Sequence, residues 1–208
     1  MNKNIIITID RQYGSGGRKI GEKLADKLGV AFYDRALLKR AAEESGLHED
    51  MFKNAEKRAT NLFALSLSSS PYTLSIDDEI FIAQSKTIKK VAEEGNCVIV
   101  GACADYVLKD YPNCINVFIH ADIEKRKLRA INEYNMPEEN IEKTITKLDK
   151  CRSTYYVHYT DNKWGKAQNY DITLDSGIGI DNAVELIKMY VNCLLYTSPS
   201  PRDYAASR

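Results

Sequence analysis

Gly14, Ser15, Gly16 and Gly17 stand together just after the apolar run 5–9 and just before a charged, helix-forming stretch that opens with Arg18 and Lys19. Glycines let a backbone turn tightly enough for successive N–H groups to face one anion. A helix that starts there adds the partial positive charge of its N-terminus. Strand, glycine loop and helix in this order predict a phosphate cradle. The usual loop reads G-x-x-x-x-G-K-[ST]. Here Arg11 takes the first glycine position, Gly17 the lysine position and Arg18 the position of the Mg²⁺-facing hydroxyl. A cation must then come from another residue. Arg18 can offer two donors to β- and γ-phosphate oxygens, and Lys19 sits in the same first helical turn. The plainer reading of both is a solvated basic face.

Other candidates are spread along the chain. Asp34 and Arg40 lie in YDRALLKR, where Asp34 also suits a helix N-cap and Arg40 also suits a solvated role. Asp105 lies in VIVGACADYVL, either as a ligand-facing carboxylate or as an acid in a first helical turn. Arg126 and Arg129 are three apart and share a helix face, and Arg152 follows in DKCR. Tyr155, Tyr156, Tyr159 and Trp164 could stack on a base, although aromatics at helical spacing more often fill a core. His48, His120 and His158 show neither metal-ligand spacing nor a paired nucleophile. The cysteines at 97, 103, 114, 151 and 193 form no CxxC or Cys/His pattern, so neither a disulfide framework nor a metal site is expected.

These residues need a scaffold. Apolar runs at 5–9, 30–33, 97–100, 115–119 and 171–174 read as short strands. Most are continuously apolar, as parallel strands covered on both faces are. Helical patterns fall at 17–28, 35–45, 49–65, 77–94, 122–134, 138–160 and 180–192. Alternation of strand and helix predicts a three-layer α/β/α sandwich with right-handed crossovers. Gly46 and Gly95 mark helix ends, and Ser75 with Asp78 resembles a capping box. The Ser-rich stretch 66–75 reads as a loop. Residues 193–208, with two prolines and no periodicity, read as a disordered tail outside the 1–192 domain, resembling translated adapter read-through. The chain has 208 residues, 44% of them hydrophobic, and no formal net charge. That balance disfavours a nucleic-acid or anionic-membrane partner. No signal peptide or membrane span is expected, which makes the cytoplasm the default location.

The segments ITIDRQYGSGGRKIGEKLADKLGVAFYDRALL, VIVGACADYVLKD and DKCRSTYYVHYTDNKWG resemble the cytidylate kinase-like family, divergent relatives of bacterial cytidylate kinase, with the likeness running to about residue 192. The resemblance implies a P-loop kinase fold with a five-stranded parallel sheet in the order 2-3-1-4-5. It also implies transfer of the ATP γ-phosphate, with Mg²⁺, to a nucleoside monophosphate such as CMP or dCMP. Gly14, Ser15, Gly16, Gly17, Arg18, Lys19 and Arg129 would then hold ATP. Arg18, Arg126 and Arg152 would act on the moving phosphoryl group, and Asp34, Arg40 and Asp105 would bind the acceptor. Residues 35–95 would form the acceptor-binding insertion and 125–152 a lid. Related sequences carry arginine where this chain has Ala102, and that departure would weaken acceptor binding or change the acceptor. Two other readings stay open: a kinase of another small metabolite, and a nucleotide-binding module with little catalysis.

Overall fold

A computed structural model describes residues 4–34 and 76–197. Among these, β1 (Ile6–Arg11) leads into α1 (Gly17–Leu28) and β2 (Ala31–Tyr33). Next come α2 (Ile76–Glu94), β3 (Cys97–Val100), the single-turn α3 (Ala104–Val107) and β4 (Cys114–His120). The chain closes with α4 (Ile123–Asn132), α5 (Ile141–Thr160), β5 (Ile172–Asp175) and α6 (Ile180–Thr197). The five strands form one parallel sheet in the order β2-β3-β1-β4-β5.

Central β1 explains the architecture. It pairs with β3 from Ile6–Cys97 to Ile9–Val100 and with β4 from Ile6–Cys114 to Arg11–Ile119. Its side chains alternate between two apolar layers, as the two-residue strand period requires. Ile7 and Ile9 join Ile20 and Leu24 of α1 and Ala183, Val184 and Ile187 of α6 on one face. Ile6 joins Ile88, Val91 and Ala92 of α2 and Leu108 on the other. A strand covered on both sides is largely apolar, hence the run IIITI, whose one polar side chain, Thr8, is buried and donates to Asn116 Oδ1.

Helix α1 buries Ile20, Leu24 and Ala25 on one stripe. It ends at Gly29, whose φ of 65° lets its N–H reach back to the carbonyls of Ala25 and Asp26. Gly21 brings the helix against the sheet, since a Cβ there would stand 2.9 Å from Val100 Cγ2. Helix α6 runs to Thr197, so residues 193–197, expected in a disordered tail, are helical. The expected helices at 35–45 and 49–65, Gly46, the loop 66–75, and Arg40, His48 and Ser75 lie outside the described residues. No helix among the described residues is long and apolar enough to cross a membrane.

Leu24 is fully buried between α1 and the sheet. Leu24→Ala should lower unfolding free energy by about 2–5 kcal/mol, read by urea denaturation. An unchanged midpoint would mean that α1 is not held by this contact.

Candidate functional site

In open α/β sheets, ligands bind outside the carboxyl ends of the strands. Here that edge gathers Asp10 and Arg11 from β1, Asp34 after β2 and Gly101–Cys103 after β3. Between β1 and α1 the loop turns through Gly14 at φ 76° and Gly16 at φ 81°. A Cβ at Gly14 would lie 2.6 Å from the carbonyl oxygen of Arg126, so no side chain fits there. Gly16 occupies the N-cap of α1 and supplies no side-chain cap, and the first turn contains no acid. The N–H groups of the first turn have no intrahelical acceptors. Left uncapped beside a glycine loop, they suit an anion such as the phosphates of ATP.

The loop carbonyls point to side-chain donors. Arg126 Nε donates to Tyr13 O at 2.9 Å, Arg129 Nη1 to Gly14 O at 2.7 Å and Arg152 Nη1 to Arg11 O at 3.0 Å. The Ser176 hydroxyl donates to Ser15 O. Asp149 completes the clamp by accepting from Tyr13 N–H at 2.7 Å and pairing with Arg126. The three arginines, expected at the phosphates, thus turn guanidinium donors onto the loop's backbone from α4 and α5. For Arg126, only 6% exposed, the cause is electrostatic: a buried guanidinium needs a counter-charge, and Asp149 provides it.

The first-turn cations are engaged as well. Arg18 Nε donates to Asp34 Oδ2 at 2.7 Å and its Nη1 to Glu22 Oε2 at 3.1 Å, while Lys19 pairs with Glu133 at 3.3 Å. Asp34 therefore meets Arg18 rather than standing alone at the end of β2. Ser15 is fully buried, and both its N–H and its hydroxyl donate to Gln12 O, so it closes the loop from within.

A small open cleft adjoins the loop. Asp10, Arg11 and Arg152 line it with charge, Tyr155, Tyr156 and Trp164 with aromatic surface, and Ala102, Cys103 and Cys151 with small side chains. Behind it lies a polar network. Asp10 Oδ2 accepts from Trp164 Nε1 at 2.7 Å and from the Tyr170 hydroxyl at 3.3 Å, and Asp105 Oδ2 accepts from the Tyr156 hydroxyl at 2.6 Å. Burial, and then the charge of Asp10, push the Asp105 carboxyl up to about 6. Gly101, Ala102 and Cys103 take φ of 80°, 58° and 53° in succession. Non-glycine residues in this left-handed conformation are strained by about 1–2 kcal/mol each, and such strain clusters at functional sites.

Of the aromatics weighed between core and ligand, Tyr156 is buried, Tyr155, Tyr159 and Trp164 are half-buried, and Tyr155, Tyr156 and Trp164 line the cleft. Tyr159 stacks on Phe81 at 4.0 Å, and Trp164 meets Phe118 edge-on at 5.3 Å. His158 Nε2 lies 3.9 Å from Asp78 Oδ1, and none of the five cysteines is in a disulfide. Sequence reasoning missed Asp10, Asp149 and the reach of Arg11. An aspartate closing a buried strand was the available signal for Asp10. Asp149 carried none, because its partner is a backbone N–H 136 residues away.

Taken together, the sheet order and the glycine loop define the fold of small-molecule P-loop kinases. The chain belongs to the cytidylate kinase-like family, whose model matches residues 6–178. No curated protein matches the sequence. Among solved structures, an uncharacterized protein from Eubacterium ventriosum is 29% identical, with a TM-score of 0.69 over 90% of this chain and 98% of that one. Shikimate kinase from Bacteroides thetaiotaomicron is 15% identical, with a TM-score of 0.54 over 90% and 98% of the two chains. A gluconokinase from Sinorhizobium meliloti is 15% identical, with a TM-score of 0.52 over 96% and 100%. The last two share the fold alone.

Two outcomes are expected. Asp149→Ala should strand the Arg126 charge and cost about 3 kcal/mol of stability, with a loss of ATP affinity as the loop loosens; calorimetry and nucleotide titration read both. Asp105 binds its proton more tightly in the folded chain than in the unfolded one, where its pKa is about 4. Its contribution is therefore complete below about pH 4 and is lost as pH rises through about 6, a change on the order of 3 kcal/mol. Denaturation from pH 4 to 7 should show that fall in wild type and a flatter profile in Asp105→Asn; parallel profiles would reject the shift.

Proposed function

We infer that the protein is an ATP-dependent nucleoside monophosphate kinase acting on CMP or dCMP. The observation that carries this reading is the uncapped start of α1 beside a glycine loop and a cleft bordered by guanidinium groups, in a member of the cytidylate kinase-like family. ATP held at the glycine loop would bring the γ-phosphoryl group, and Mg²⁺ held with its phosphates would supply positive charge against the negative charge that develops. The chain itself positions and stabilises. Backbone N–H groups around Gly14, Gly16 and Gly17 cradle the phosphates, and the start of α1 adds its dipole. Arg152, which lines the cleft and donates to the carbonyl of Arg11, would act on the transferring group. Arg126 and Arg129 act by holding the loop. Arg18 and Lys19 are a reserve of charge that phosphates compete for against Asp34, Glu22 and Glu133. Asp34 and Asp105, with Arg40, serve the acceptor. Movement of 125–152 over the bound nucleotides would exclude water and suppress hydrolysis.

One observation favours a second reading, a nucleotide-binding module with little catalysis: the lysine position is glycine, and the neighbouring cations are paired with acids. A coupled assay decides between them. Purified protein with ATP and Mg²⁺ is offered each nucleoside monophosphate, and diphosphate is measured. Turnover of CMP and dCMP well above the others is expected. ATP binding with no turnover of any monophosphate would sink the kinase reading.

A further inference from the structure

Arg11 stands where a phosphate loop ordinarily opens with glycine, and its side chain runs across the site. Its stem covers Gly17: a Cβ at 17 would lie 2.5 Å from Arg11 Cβ and 3.0 Å from its Cγ. Its guanidinium ends over Gly101, where a Cβ would lie 2.3 Å from Nη1 and 3.1 Å from Cζ. Two glycines from separate elements, one at the lysine position of the loop and one after β3, thus leave the passage that Arg11 fills. Arginine is the side chain long enough to span it and end in a planar set of donors.

The arginine ends beside one carboxylate and short of a hydrogen bond to it. Its side chain is only 15% exposed, and among the described residues the one carboxylate within 4 Å is Asp10, 3.8 Å from Nη1. That separation exceeds hydrogen-bonding length. The guanidinium donors of Arg11 are not sealed from solvent and open onto the cleft, where an incoming acceptor can reach them. The cleft it lines holds a second guanidinium, that of Arg152, whose Nη1 donates to the carbonyl of Arg11 itself. Ala102 forms the adjoining wall and contributes no more than a methyl group.

The geometry points to Arg11 as a specificity-determining residue that, with Arg152, forms a two-guanidinium fork for the phosphate of the acceptor, from the loop side and across the wall left bare by Ala102. The inference rests on the phosphotransferase reading and sharpens it. The acceptor is a molecule that already carries a phosphate, bound by that group. Uncharged acceptors lack the handle. Donor nucleotide is held by loop N–H groups and does not depend on Arg11.

Equilibrium titrations on the full chain loaded with ADP test this, with CMP, cytidine and inorganic phosphate as probes. Arg11→Met keeps the stem over Gly17 and removes the charge; Arg11→Lys restores a charge without the fork. Loss of one charged hydrogen-bonding partner corresponds to a change of about 10- to 100-fold in binding. CMP and phosphate affinity should fall by that factor in Arg11→Met and recover in part in Arg11→Lys. Cytidine binding, ADP affinity and the melting temperature should stay near wild type. An unchanged preference for CMP over cytidine in Arg11→Met overturns the inference, as does a loss confined to ADP. Wild type that turns over no monophosphate, yet binds phosphate in an Arg11-dependent way, removes the kinase reading and keeps the fork. CMP turnover with the same KM in wild type and Arg11→Met does the reverse. Wild type that binds neither CMP nor phosphate removes the fork.

Discussion

A loop that turns its N–H groups toward an anion must turn its carbonyls away from it, and those carbonyls then need donors of their own. In this chain the donors come from outside the loop. Arg126 and Arg129 on α4 and Ser176 after β5 each take one loop carbonyl, and Arg152 on α5 takes that of Arg11 where β1 enters the loop. Charged donors make the stronger hydrogen bonds, so the loop is fixed from behind by groups that cannot lose their charge. The shape of the cradle is consequently a property of α4, α5 and the segment after β5 as much as of the loop.

That dependence ties the two sides of the site together. Asp149 accepts from the loop at Tyr13 and neutralises Arg126, so one carboxylate serves the loop backbone and the helix pair at once. Ala130, Ile141 and Ile145 form a small apolar cluster between α4 and α5, with Tyr13 of the loop packed against it. Any displacement of these helices changes the hydrogen bonds behind the loop. Coupling of this kind passes through contacts with discrete partners and not through a general softness of the fold.

The strands were legible because a strand covered on both faces is apolar at most of its residues. The start of α1 was legible because glycines and helix-forming residues change over at one point. What the sequence carries poorly is direction. Arg126, Arg129 and Arg152 show charge and spacing in the one-dimensional pattern, and nothing there tells a phosphate from a carbonyl 113 or more residues earlier as their target. The turn at Gly101–Cys103 was hidden for another reason: two of its three left-handed residues are not glycine, so tertiary context overrides local preference. The pairing of Arg18 with Asp34 joined two residues that had been weighed for separate partners.

The passage between Gly17 and Gly101 bears on how this loop could have arisen or could be redesigned. Writing lysine at 17 looks like a return to the common loop, yet its Cβ would collide with the stem of Arg11. Replacing Arg11 by glycine first would empty the passage and remove a cation before another is in place. A side chain at 17 or at 101 is therefore compatible with this backbone only once Arg11 has given way to a smaller residue. The unusual loop is a separate local solution, isolated from the common one by its own steric interlock.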